Sequence, residues 1–133
     1  MPKRILLIED ESDVVKMVVK RLESAGYEVI TAGDGVAGLD KVRTAKPDLI
    51  ITDLLLPKLD GWRFCHTLKT AHNFRHMPVI VLSGSVLDES SPAGVEQGDA
   101  FMMKPFKPEQ LLSTIRSLLH EVPPTSPSTP PAN

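Results

Sequence analysis

The stretch Asp48 to Asp53, D-L-I-I-T-D, restricts the fold more than any other. Leu49, Ile50 and Ile51 make an apolar run too short for a helix, with Pro47 just before it. Such a run reads as a strand buried on both faces of a parallel sheet. Pro57 and Asp60-Gly61 then force the chain to turn. Asp53 therefore stands at the C-terminal end of a buried parallel strand, the edge where open α/β sheets bind and process ligands.

The flanking sequence repeats this pattern. Arg4 to Ile8 is a continuous apolar strand ending abruptly in Glu9-Asp10-Glu11. Ser12 and Asp13 are candidate N-caps for a helix in which Val14, Val15, Val18 and Leu22 recur at helical spacing and which Gly26 closes. Tyr27 to Ala32 alternates and is rich in β-formers, so it is a second strand. Gly33-Asp34-Gly35 turns the chain into a second helix, with Val36, Leu39 and Val42 on one face, that ends before Pro47. Beyond the central strand, Trp62, Phe64, Cys65 and Leu68 mark a third helix that fades near His72. Met77 to Leu82 is a fourth strand, stopping at Ser83-Gly84-Ser85. Pro92 and Gly94 oppose a long helix, so only a short one is expected there, with Ser91 as N-cap and Gly98 as its stop. Ala100 to Met103 is a fifth strand ending at Lys104-Pro105, and Pro108 opens a last helix with Leu111, Leu112, Ile115, Leu118 and Leu119 on its face.

Strand and helix thus alternate five times. This is the pattern of a flavodoxin-like (βα)5 doubly wound parallel sheet, with expected strand order 2-1-3-4-5. Its topological switch point falls between the first and third strands, which end in Glu9-Asp10 and in Asp53. Residues 1–121 are expected to form one domain. From Val122 the sequence becomes V-P-P-T-S-P-S-T-P-P-A-N, which cannot bury apolar area or continue a helix, and 122–133 reads as a disordered tail.

Composition narrows the function. A net charge of -2 and a pI near 6.1 argue against direct nucleic-acid binding by bulk electrostatics. No apolar run approaches the ~18 residues of a membrane span, so no membrane association is expected. One cysteine, Cys65, excludes an internal disulfide and fits a reducing cytoplasm; amid Trp62, Phe64 and Leu68 it reads as a small buried residue. His66, His72, His76 and His120 lack ligand spacing and read as surface residues.

The chemistry lies at the strand ends. Glu9, Asp10 and Asp53, brought together, repel one another and need a cation to stay ionised. An all-oxygen donor set favours Mg²⁺, which takes few protein carboxylates and usually coordinates a phosphate as well. Lys104 can supply a fixed positive charge to an anion on Asp53, and Ser83 can give it a hydroxyl hydrogen bond. A metal, an ammonium and a hydroxyl around one carboxylate suit in-line phosphoryl transfer with Asp53 as nucleophile. Each residue alone has a plainer explanation, such as an acid near a helix N-terminus or a solvated lysine. Complementary groups on four separate strand ends make chance placement the weaker account.

From Lys3 to about Glu121 the chain resembles a receiver domain of the two-component response regulator family. The resemblance is carried by I-L-L-I-E-D-E, I-I-T-D-L-L-L-P-K-L-D-G, P-V-I-V-L-S-G and F-M-M-K-P-F, in matching order and spacing. It implies that Asp53 accepts a phosphoryl group from a sensor histidine kinase or phosphotransfer protein. It also implies that Glu9, Asp10, Asp53 and the backbone carbonyl of Leu55 organise Mg²⁺. Ser83 and Lys104 fall at the conserved hydroxyl and lysine positions, and Ser83 and Phe101 at the two switch positions. Phosphorylation, which adds about -1.5 to -2 charges, would draw Ser83 toward the new oxygens and let Phe101 turn inward. That would change the face built from the fourth helix, fifth strand and fifth helix. Output would then pass to a downstream effector protein on that face, unless the chain is one piece of a longer protein.

Glu9 replaces the commoner Asp, Gly84 stands where Ala is usual, and Pro92/Gly94 alter the segment leading to the output face. Leu55 and Ser85 occupy the family's two variable positions; an apolar Leu55 cannot position an attacking water, which predicts slow self-dephosphorylation. The alternative is a receiver-like interaction module that signals without phosphorylation. A nucleotide or FMN site is disfavoured, because three acids stand where a Gly-rich phosphate loop or phosphate-binding hydroxyls would be needed.

Overall fold

A computed structural model describes residues 2–53, 66–68, 76–83 and 99–120. Five strands, β1 (Arg4–Ile8), β2 (Glu28–Ala32), β3 (Leu49–Asp53), β4 (Val79–Ser83) and β5 (Ala100–Met103), form one parallel sheet in the order β2-β1-β3-β4-β5. The described helices are α1 (Ser12–Ser24), α2 (Gly35–Ala45) and a C-terminal helix, α3 (Pro108–Leu118). Residues 66–68 are also helical, within the expected third helix.

The period-two pleat sorts the core into two layers. Ile5, Leu7, Leu49, Ile51, Ile80 and Leu82 face Val18 and Leu22 of α1 and Leu111 and Ile115 of α3. Leu6, Ile8, Ile50, Val79 and Val81 face the other way, onto Val42 of α2 and Leu68. All five residues of β3 are buried, as a central strand covered on both faces must be.

The helix ends follow the sequence in part. Asp34 caps α2, its Oδ1 accepting from Ala37 N at 2.8 Å. Gly26 takes φ +96°, the left-handed conformation that closes α1. Pro108 sits in the first turn of α3. Neither Ser12 nor Asp13 caps α1: the N-cap is Glu11, whose side chain makes no cap hydrogen bond. On the expected face of α2, Val42 is buried and Leu39 packs partly buried against the core, but Val36 is 55% exposed, and Gly35 and Gly38 are buried beside them. The expected short helix between Val86 and Gly98, the turn at Pro57, and Trp62, Phe64 and Cys65 lie outside the described residues. So do His72 and the tail; His66, His76 and His120 are exposed.

Candidate functional site

The strand order brings three separate chain segments to one edge of the sheet. Glu9 follows β1 directly, and its amide donates to Ala32 O at 3.0 Å, one step past the β1/β2 ladder. Asp53 is the last residue of β3 and lies opposite Leu82 of β4. Lys104 follows β5, and its long side chain reaches back across the edge to β3.

Carboxylate oxygens of Glu9, Asp10 and Asp53 all lie within 4.8 Å of one another. Glu9 and Asp53 are buried, whereas Asp10 is exposed. Lys104 Nζ donates to Asp53 Oδ2 at 2.9 Å and lies 2.7 Å from Glu9 Oε2 and 3.7 Å from Glu11 Oε1. Among the described residues, three carboxylates, those of Glu9, Glu11 and Asp53, therefore lie against one ammonium whose side chain is 14% exposed.

The two oxygens of Glu9 differ. Oε1 accepts from the amides of Asp10 and Glu11 at 3.2 and 3.3 Å, contacts that the extra methylene of glutamate allows. Oε2 is buried and lies 2.7 Å from the ammonium, an ion pair that falls short of well-directed hydrogen-bond geometry, and it has no other partner among the described residues. Burial pushes the Glu9 carboxyl above the usual carboxylate range; Lys104 and the Glu11 amide pull it back only in part, and the charge of Asp53 adds to the rise. Burial alone would lower Lys104, but Glu9 and Asp53 outweigh it and hold the ammonium above the ordinary lysine value.

A buried carboxylate oxygen held only by an ion pair, beside two further carboxylates and with no His or Cys in the cluster, is a donor set that fits a small hard cation such as Mg²⁺. The structure therefore brings together Glu9, Asp10, Asp53 and Lys104. Ser83 ends β4 and pairs with Met103, which puts it at the same edge. Leu55 lies outside the described residues. Phe101, opposite Val81, is half-buried and packs with the layer that includes Leu68 and Val81. Sequence reasoning missed Glu11 as a neighbour of Lys104 and Glu9 as the nearest partner of Lys104. The signal was there, since three consecutive acids at one strand end exceed what a cation site alone requires.

With this fold and edge chemistry established, the comparisons assign the class. The chain belongs to the response regulator receiver domain family, whose model matches residues 5–116. It is 37% identical over 130 residues to the alkaline phosphatase synthesis transcriptional regulatory protein PhoP of Bacillus subtilis, covering 97% of this chain and 53% of that protein. The chain thus spans about half the length of the curated relatives it matches. Among solved structures it is similar to the chemotaxis response regulator CheY4 of Vibrio cholerae, with TM-score 0.82 and 30% identity over 89% of this chain and 99% of that one. It is also similar to the receiver domain of the sensor histidine kinase PA1611 of Pseudomonas aeruginosa PAO1, solved with a magnesium ion coordinated in its active site cleft. There the TM-score is 0.82 and identity 26%, over 91% of this chain and all of that one. The chain is a receiver domain, a signalling domain of two-component systems. The comparisons lend no support to the reading in which it signals without phosphorylation. Among the described residues no helix is long and apolar enough to cross a membrane.

Proposed function

We propose that this receiver domain takes a phosphoryl group onto Asp53 from the phosphohistidine of a sensor histidine kinase or phosphotransfer protein. Supporting this above all is the direct Lys104–Asp53 contact at 2.9 Å beside the Glu9/Asp10/Asp53 cluster. Glu9, Asp10 and Asp53, with the backbone carbonyl of Leu55, would hold Mg²⁺. The metal supplies charge neutralisation for the phosphoryl oxygens.

The remaining work falls to this chain's own groups. The carboxylate oxygen of Asp53 attacks phosphorus in line; the new O–P bond forms as the bond to the donor's imidazole nitrogen breaks, and that nitrogen leaves with its electron pair. Lys104 offsets the negative charge gathered on the phosphoryl oxygens, and Ser83 donates a hydroxyl hydrogen bond to one of them. No oxidant or reductant is involved. The domain promotes only its own phosphorylation and dephosphorylation, and so acts as a phosphoacceptor and not as an enzyme with a separate substrate.

Phosphorylation would draw in Ser83 and turn Phe101 from its half-buried position, altering the surface of β5 and α3 that a downstream effector protein reads. We place this activity in the cytoplasm, within residues 1–121, with 122–133 as a disordered tail. The acid balance disfavours direct nucleic-acid contact by this domain. Leu55→Asn should speed loss of the phosphoryl group if an apolar residue there withholds the attacking water; an unchanged rate would refute that point.

Incubation with Mg²⁺ and acetyl phosphate, followed by intact-mass measurement, tests the proposal. Wild type should gain one phosphoryl group, and should gain none after chelation of Mg²⁺ or in Asp53→Asn. A Mg²⁺-binding protein that gains nothing would overturn it.

A further inference from the structure

We infer that Thr52 is a positioning residue: its hydroxyl fixes the backbone of Asp53 from the opposite face of the sheet, and so holds the carboxylate in its direction toward Lys104. The inference rests on reading Asp53 as the phosphoacceptor and names a residue that acts through it.

Among the described residues, the buried polar or charged side chains are those of Glu9, Asp53 and Thr52. The first two belong to the acid cluster, whereas the proposed chemistry gives Thr52 no part. The pleat turns Thr52 away from that cluster, onto the layer of Ile50. There it stands in register between Ile8 and Val81, both buried and apolar. Packing alone would be served by valine, which has the shape of threonine without its hydroxyl. A hydroxyl buried in such a layer costs free energy unless a partner accepts its proton.

The partner is the carbonyl of the next residue: Thr52 Oγ1 donates to Asp53 O at 3.0 Å. Asp53 is the last residue of β3, and the ends of elements are where a chain opens most easily. The position of its carbonyl oxygen is set by its own ψ, so this hydrogen bond restrains the peptide on the C-terminal side of the Asp53 Cα. The strand restrains the N-terminal side. Together they fix the Cα–Cβ direction, and with it the path of the carboxylate to Lys104 Nζ at 2.9 Å. In-line attack on phosphorus tolerates little error in that direction. The tether therefore serves the reacting oxygen from a face that a phosphodonor never touches.

The test compares wild type, Thr52→Val and Thr52→Ser at saturating Mg²⁺ and acetyl phosphate. Thr52→Val should slow the first-order phosphorylation of Asp53 by about three- to tenfold, the scale of one neutral hydrogen bond. Thr52→Ser keeps the hydroxyl and should stay within about twofold of wild type. A second readout needs neither metal nor phosphate. In the metal-free protein the carbonyl carbon resonance of Asp53 should move upfield in Thr52→Val and stay near its wild-type position in Thr52→Ser. A valine variant that loses stability yet phosphorylates at the wild-type rate would give the hydroxyl a purely structural part and overturn the inference. So would a serine variant as slow as the valine one, or a carbonyl resonance indifferent to the hydroxyl. If Thr52→Val fails to fold, Thr52→Ala takes its place against Thr52→Ser. A carbonyl resonance that responds to the hydroxyl in a protein that takes no phosphoryl group would overturn the phosphoacceptor reading itself, and the inference with it.

Discussion

The two ends of the sheet use charge in opposite ways. At the N-terminal edge, Arg4 N donates to Asp48 Oδ2 at 2.7 Å, Asp48 N donates to Arg4 O at 2.7 Å, and Arg4 Nε meets Glu28 Oε2 at 3.2 Å. Each of these contacts pairs a donor with an acceptor, and the Arg4 and Glu28 side chains are well exposed. At the C-terminal edge, buried Glu9 and Asp53 share one lysine, and a buried oxygen of Glu9 is held by that ion pair without a well-directed hydrogen bond. Paired, solvated charges finish a fold at little cost. Crowded, buried ones carry a desolvation cost that is characteristic of functional sites. The difference separates the structural end from the functional end without recourse to any relative.

Lys104 carries the largest expected difference between the two edges. Without Mg²⁺, Lys104→Met leaves two buried carboxylates facing each other and should cost roughly 2–3 kcal/mol of stability in denaturant titration. The loss is held to that scale because Glu9, already pushed upward by burial, can take up a proton. A cost below about 0.5 kcal/mol would place the C-terminal edge with ordinary surface pairs.

Mg²⁺ should act on one end only. At a hundredfold excess over its dissociation constant it should stabilise wild type by about 2.7 kcal/mol. Arg4→Met should keep the whole of that gain in a thermal shift, and Asp10→Asn should lose most of it. An equal gain in both would contradict the assignment.

High pH gives a third test. The folded state raises the affinity of Lys104 for its proton above the ordinary lysine value of 10.5, despite burial, because Glu9 and Asp53 face it. Its contribution is fully present below that ordinary value and is lost as pH rises through the raised one. Wild type should therefore lose stability more steeply than Lys104→Met in strongly alkaline solution; parallel slopes would refute this. The smallest effect should be Glu28→Gln at the opposite edge, within about 0.5 kcal/mol in chemical denaturation.

The architecture was open to reading because its signals are local. Leu49 to Asp53 reads as a doubly covered strand from its apolar run and its flanking Pro47, and the expected strand order alone brings Glu9, Asp10, Asp53 and Lys104 to one edge. Details that depend on competition between neighbours were not legible. Ser12 is the better capping residue by type, yet Glu11 takes that position; which of two adjacent polar residues caps depends on where the strand delivers the chain. Val36 fits helical spacing as well as Leu39 and Val42 do, yet it is exposed while they pack on the core, because the buried arc of α2 is set by how the helix is rotated on the sheet and not by spacing alone. The pairing of Lys104 with Glu9 was hidden for a similar reason. It depends on the one extra methylene that lets a glutamate, anchored by two amides, still present an oxygen to the ammonium.

The most direct test of the C-terminal edge as a phosphoacceptor site is to locate the phosphoryl group. After phosphorylation with acetyl phosphate and Mg²⁺, borohydride reduction converts an acyl phosphate to the corresponding alcohol, and peptide mass spectrometry reads which residue has changed. We expect homoserine at position 53 alone. Reduction at Glu9, Asp10 or Glu11, or at no residue of a protein that binds Mg²⁺, would contradict the account.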